Sequence, residues 1–385
     1  MVRIISGQRR RFLNVAIVVG VVAMMSASVA QGQQKEIKIG VFAAMTGAAA
    51  AQGKSLMEGV DLAVKARNAA GGINGQKVQV VQGDDAGKPE EAAVIARRFA
   101  TRDGVTLAIG SVSSPASLAA AQVFREEEVP QIVPSATAQR ITTQGNEWVF
   151  RSAVPDRKFV SDFVDFINEK YPKVKRVGFI LVNDDFGKGG LDSFVDAGKK
   201  YGISVVAEER YSRGDVDFTA QLTKIRAANP DAIVDWSRYT EGALIQRQIR
   251  QMGLSGLSRF GGDGWAQQAF LDLAGDAANG VVYATQFSPA TSANLPESQR
   301  FIEAFRKEYG KLPDYINAQA YDSAMIAMAA IERAKSSDRT AVRNALRQTD
   351  YASVRGPFKF DQKGDPTLNT HVVKIVDGKE ANARQ

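Results

Sequence analysis

From Glu36 onward, short β-branched runs alternate with stretches whose apolar residues recur at helical spacing. Residues 37–42 form the first strand-like run. Leu56, Val60 and Val64 follow at fourfold spacing with Ala63, which is one apolar face of a helix. Gly71-Gly72 stops that helix and Asn74-Gly75 turns the chain. The pattern then predicts strands over 78–81, 106–109 and 131–133, with helices over 92–99 and 116–124 between them. A βαβα order of this kind implies a parallel sheet covered by helices.

After Arg151-Ser152-Ala153-Val154-Pro155 the same order restarts. Helix 159–167 leads into strand 176–182, helix 191–200, strand 204–206, helix 218–228, strand 231–236 and helix 243–252. Strand 281–283 ends the second run, and helices 297–309 and 318–334 return to an earlier layer. Segments 357–360 and 372–375 alternate like edge strands. No low-complexity linker or charged tail separates the two regions. The junctions near Arg151, Gln286 and Val354 therefore read as short crossovers. The expected fold class is α/β, with two interleaved lobes, each a parallel sheet between helices, joined by a three-crossover hinge.

The first thirty residues set where such a chain works. Arg9, Arg10 and Arg11 precede an apolar run over 12–25, and small residues follow up to Ser28-Val29-Ala30. The run is shorter than the roughly 20 residues of a membrane span. Residues 1–30 are read as a signal peptide cleaved near Ala30. Arg9-Arg10-Arg11-Phe12-Leu13-Asn14 also looks like a twin-arginine signal, so both export routes stay open. Cysteine is absent, which excludes disulfides, a lipid-modified cysteine anchor and thiolate chemistry. The rest of the chain is long enough to stabilise itself by core burial. An exported, unanchored protein points to the periplasm. Four of the 49 basic residues lie in the leader with no acids, leaving 45 basic against 42 acidic residues, a formal charge of +3. That is too small for a nucleic-acid partner, and no basic stripe interleaves with aromatics.

Enzyme motifs are missing. The single histidine, His371, lies in an edge-strand-like run, and no G-x-S-x-G elbow accompanies any serine. Gly71-Gly72 and Gly261-Gly262-Asp263-Gly264 match neither dinucleotide nor P-loop spacing. Asp84-Asp85 lacks further carboxylates at coordinating spacing and reads as a turn before Pro89. No catalytic residue, metal site or cofactor is expected. Binding features are better represented. In open α/β sheets, ligands sit beyond the carboxyl ends of strands, at helix N-termini. Ser111, Ser113 and Ser114 follow one strand end and Ser135-Ala136-Thr137 the next; hydroxyls and free N–H groups there suit a carboxylate. From the second region, Trp236-Ser237-Arg238-Tyr239 and Gly261-Gly262-Asp263-Gly264 also sit just past strands. Asp263 is either an acceptor for an ammonium or a turn aspartate.

In order along the chain, several blocks resemble one family. They are Ile37-Lys38-Ile39-Gly40 with Met45-Thr46-Gly47, Asn68-Ala69-Ala70-Gly71-Gly72-Ile73-Asn74-Gly75 followed by Asp84-Asp85, Pro134-Ser135-Ala136-Thr137, Asp217-Phe218, Asn229-Pro230-Asp231, Ala320-Tyr321-Asp322 and Gly356-Pro357-Phe358-Lys359-Phe360-Asp361. Together they are similar to the type I periplasmic solute-binding proteins of branched-chain (hydrophobic) amino acid ABC importers. The resemblance implies two Rossmann-like lobes, 31–152 plus 286–353 and 153–285 plus 354–385. It also implies a hinge that closes over an amino acid or amino-acid-like carboxylate.

By the same resemblance, Ser114, Ser135 and Thr137, with Ala136 between them, match positions that hold the ligand's α-carboxylate. Asp263 matches the acid that pairs with its α-ammonium. Gln52 and Phe186 fall where aromatic pocket walls are usual, and Gln52 departs from that. Arg238 stands where a tyrosine often sits. Turned inward, its guanidinium would favour a polar or acidic ligand; turned outward, it would leave aliphatic ligands open. An inner-membrane ABC permease is the implied partner, and a monomer the implied state. A sensor that docks on a membrane receptor, or a binder of an organic or aromatic acid without an amine, are the alternatives. A repressor of the same fold would need a DNA-binding helix pair where the leader stands.

Overall fold

The computed structural model of the chain describes residues 36–385, so the leader lies outside the described residues. The first region alternates β1 (Ile37–Ala43), α1 (Ala50–Ala69), β2 (Val78–Asp84), α2 (Pro89–Arg98), β3 (Leu107–Ile109), α3 (Ser114–Glu126), β4 (Gln131–Val133), α4 (Arg140–Thr143) and β5 (Val149–Arg151). These strands form one parallel sheet in the order β2-β1-β3-β4-β5. Its central strands are apolar on both faces because helices cover both.

The second region continues with α5 (Asp156–Lys170), β6 (Arg176–Val182), α6 (Asp185–Gly198), β7 (Ser204–Tyr211), α7 (Thr219–Ala227), β8 (Ala232–Trp236), α8 (Tyr239–Gln251), β9 (Ser258–Gly261), α9 (Gln268–Ala274) and β10 (Val282–Thr285). The chain then passes through α10 (Pro289–Ser292) into α11 (Pro296–Tyr309), α12 (Tyr315–Ala334) and α13 (Arg339–Arg347). These helices return to the first lobe. Asn317 on α12 donates to the Ser55 carbonyl at 2.8 Å, and Tyr309 on α11 to the Glu58 carbonyl at 3.0 Å. Gly59 permits the close approach of α12, since a Cβ there would collide with the Asn317 carbonyl and Ala320.

The last elements are β11 (Asp350–Ser353), β12 (Gly356–Lys359), β13 (His371–Val376) and β14 (Lys379–Asn382). Three points differ from the sequence expectation. The second sheet, ordered β14-β13-β10-β9-β8-β6-β7, is parallel only from β7 to β10; β13 and β14 extend it antiparallel. Segment 357–360 is not an edge of that sheet, because β12 pairs with β11 in a separate hairpin. The edge beside β13 is β14, a short polar strand without apolar alternation.

The third crossing also comes later than Val354. Arg355 donates to Asp322 Oδ2 at 2.7 Å and to the Ser152 carbonyl at 2.9 Å. The Arg151 N–H donates to the Gly364 carbonyl at 2.8 Å, and the buried Arg151 guanidinium pairs with Asp365. Residues 355–365 are thus held on the first lobe by buried charge pairs, and the chain joins the second sheet only where His371 faces Thr285.

Candidate functional site

The predicted residues lie on the loops and in the first turns of the helices that follow the carboxyl ends of strands in both sheets. On the first lobe, Ser114 opens α3 and accepts from the Ala138 N–H at 3.4 Å. Ser135, Ala136 and Thr137 follow β4 and are buried. The hydroxyls of Ser113 and Thr137 are buried without a hydrogen-bond partner. Tyr315, at the start of α12, brings its phenol beside the Ser135 hydroxyl. Gln52 is buried in α1, one turn before Ser55.

The second lobe contributes charge. Asp263 follows β9 in a tight turn and is 2% exposed. Gln286, on the second crossing, donates to Asp263 Oδ2 at 2.9 Å, while its own carbonyl accepts from the Val154 N–H of the first crossing at 2.6 Å. Burial, then the charge of Asp156, pushes the Asp263 carboxyl up to about 7, against the opposing pull of Gln286 and Arg238. Asp156, at the first position of α5, is fully buried, and burial pushes it up to about 7 as well. Neither of its oxygens receives a hydrogen bond, and the neighbouring Thr137 hydroxyl is not aligned on it. Gly189 of α6 packs so closely that a Cβ there would collide with Asp156 Oδ2. The two carboxyls act on each other, and neither makes an ion pair among the described residues.

Arg238 follows β8 and turns inward. It is 8% exposed, its guanidinium lies 4.9 Å from the centre of the Phe186 ring, and Nη1 stands 3.0 Å from Asp184 Oδ2. Asp184 caps α6, accepting from the Phe186 and Gly187 N–H groups. Burial alone would raise Asp184, yet Arg238 and those N–H groups hold it below the usual carboxylate range. Arg213 shares the same oxygen at 3.3 Å and donates across the gap to the Gly87 carbonyl at 3.0 Å. Further bonds join the lobes: Gln267 to Asp314 at 3.0 Å, Thr240 to the Ala48 carbonyl at 3.3 Å, and Arg140 to Asp185 at 3.0 Å. The lobes are closed on one another.

The candidate site thus gathers hydroxyls from the first lobe and the buried Asp263 and Arg238 from the second. A family model described as periplasmic binding protein matches residues 36–380. The chain belongs to the periplasmic binding protein family. Over 371 residues it is 30% identical to "Leu/Ile/Val-binding protein homolog 3" of Brucella melitensis, covering 95% of this chain and 99% of the relative. A leucine binding protein of Thermotoga maritima superposes with a TM-score of 0.85 at 31% identity, covering 90% of this chain and 97% of that one. A branched-chain amino acid transporter substrate binding protein of Streptococcus pneumoniae, solved in complex with isoleucine, gives 0.83 at 30% identity, covering 90% and 98%.

In this binding protein, Ser114, Ser135, Ala136 and Thr137 lie together on one lobe, and Phe186, Arg238 and Asp263 on the other. Sequence reasoning missed Asp156, Asp184, Arg213, Gln267, Gln286 and Tyr315. Asp156 follows a proline at a helix start, where an aspartate reads as a cap. Only folding brings it beside Asp263. Gln286 fell at a junction seen as a bare crossover. Asp84, by contrast, does what a turn aspartate does, accepting from the Met45 and Ala86 N–H groups at 2.8 and 2.9 Å.

Proposed function

We propose that this binding protein captures an amino acid between its two lobes and delivers it as a monomer to an inner-membrane ABC permease. The leader over 1–30 supports a periplasmic setting. Ser114, Ser135 and Thr137, with backbone N–H groups, receive the ligand's carboxylate. Asp263, seconded by Asp156, receives its ammonium; Gln52, Ala136, Phe186 and Arg238 enclose the rest. The observation that carries this reading is the buried Asp263 carboxyl, which has no ion-pair partner among the described residues, facing a first-lobe loop that carries Ser114, Ser135 and the unpartnered Thr137 hydroxyl. A carboxylate and an ammonium taken out of water each need such partners.

Calorimetric titration of the wild type and of Asp263→Ala tests it. Truncating one partner of a buried charge pair costs about 3–5 kcal/mol, so affinity should fall at least about a hundredfold at 1.4 kcal/mol per tenfold. Unchanged binding in the variant, or a best ligand without an amine, would replace this reading with that of an organic or aromatic acid binder.

A further inference from the structure

We propose that the ligand's side chain ends in a carboxylate, which Arg238 receives. This rests on the amino acid reading above and assigns the third point of attachment. The usual aromatic wall is not free here, because the guanidinium of Arg238 covers the Phe186 face at 4.9 Å. An aliphatic side chain entering the gap would lie against a buried cation instead of an aromatic ring. It would also leave the donors of that cation unpaired. Nη1 of Arg238 is buried and pairs with Asp184 by charge at 3.0 Å without completing a hydrogen bond. A buried donor in that state favours a ligand that supplies an acceptor.

Charge argues for a carboxylate over a neutral acceptor. Asp184 is already spent: Oδ1 caps α6, and Oδ2 takes the hydrogen bond from Arg213. Two guanidiniums thus share one carboxylate. Glu241, the other buried acid here, accepts from the Gly214 N–H at 2.9 Å and offsets Arg213. The one counter-ion of Arg238 among the described residues, Asp184 at 3.0 Å, is shared with Arg213 at 3.3 Å. The mutual repulsion is visible at Arg213, which the neighbouring charge of Arg238, followed by burial, holds below the usual guanidinium range. Arg238 and Asp263 follow the neighbouring strands β8 and β9 of the second sheet, so both stand at the same end of that sheet. A dicarboxylic amino acid satisfies all three points: hydroxyls, acids and guanidinium.

Titration calorimetry of the mature chain with L-glutamate, L-aspartate, L-glutamine, L-leucine and benzoate, repeated on Arg238→Leu, tests this. In the wild type, glutamate or aspartate should bind at least about tenfold more tightly than leucine or glutamine. Arg238→Leu should reverse the order between the dicarboxylates and leucine. It should fold normally, because Asp184 keeps Arg213 and the α6 cap. Circular dichroism and thermal unfolding check that point. Leucine equal to or tighter than both dicarboxylates would overturn the inference while leaving the amino acid reading intact. Glutamine equal to glutamate would overturn the carboxylate assignment, as would an Arg238→Leu variant that binds glutamate unchanged. Binding of benzoate alone would overturn both.

Discussion

Affinity for the ligand should rise with pH between 5.5 and 7.5, and the size of the rise follows from two side chains. Asp263 and Asp156 are both buried and both pushed up to about 7. An ammonium needs them ionised. A carboxyl titrating near 7 is about 3% ionised at pH 5.5 and about 76% at pH 7.5, so each acid that must ionise strengthens binding about 25-fold, or about 2 kcal/mol, over that interval. The amino acid stays zwitterionic throughout. His371, held below its usual range first by burial and then by Arg355 and Arg384, cannot supply a rise centred near 7. Stability of the ligand-free protein runs the other way. Folded-state values raised above the unfolded value near 3.9 contribute stability that is present below that value and is lost as pH climbs through 7. The thermal midpoint without ligand should therefore fall towards pH 8 on account of these groups, while the ligand-induced shift grows. Calorimetry at pH 5.5, 6.5 and 7.5, in buffers of differing ionisation enthalpy, should also show protons released on binding at the acid end. A flat or falling affinity profile without proton release would refute the assignment of these acids to the ammonium.

Three further outcomes are expected. Gln267→Ala removes a bond between the lobes without touching Asp263, so affinity should drop about fivefold (about 1 kcal/mol). Small-angle scattering at saturating ligand should show the same contraction as wild type; failure to contract would make Gln267 part of the closing machinery rather than a brace. Asp322→Ala leaves Arg355 buried and unpaired beside the Ser152 carbonyl, and denaturant unfolding should register a loss of about 3–5 kcal/mol. A loss below about 1 kcal/mol would mean that water reaches that guanidinium. Thr137→Val keeps the volume but deletes the unpartnered hydroxyl. Ligand affinity should weaken about tenfold with stability unchanged, and equal affinity would exclude this hydroxyl from carboxylate binding.

Much of this molecule is legible along the chain. Alternation of β-branched runs with helical spacing determines two α/β layers, because parallel strands covered on both faces must be apolar throughout. Strand ends followed by Ser114, Ser135, Thr137 and Asp263 mark the candidate site, since backbone N–H groups collect at helix starts. What the sequence leaves undecided depends on partners far apart in the chain. Asp156 and Asp263 are 107 positions apart, and nothing local distinguishes either from a turn or capping aspartate. Arg238 has equal licence from sequence to reach solvent or the gap. Asp184 and the Phe186 ring draw it inward, and both belong to a different strand–helix unit. The late third crossing, fixed by the Arg151–Asp365 and Arg355–Asp322 pairs, is likewise invisible to periodicity. Periodicity reports which face of an element is covered. Only the tertiary structure decides which buried charges meet there, because their partners lie far apart in the chain.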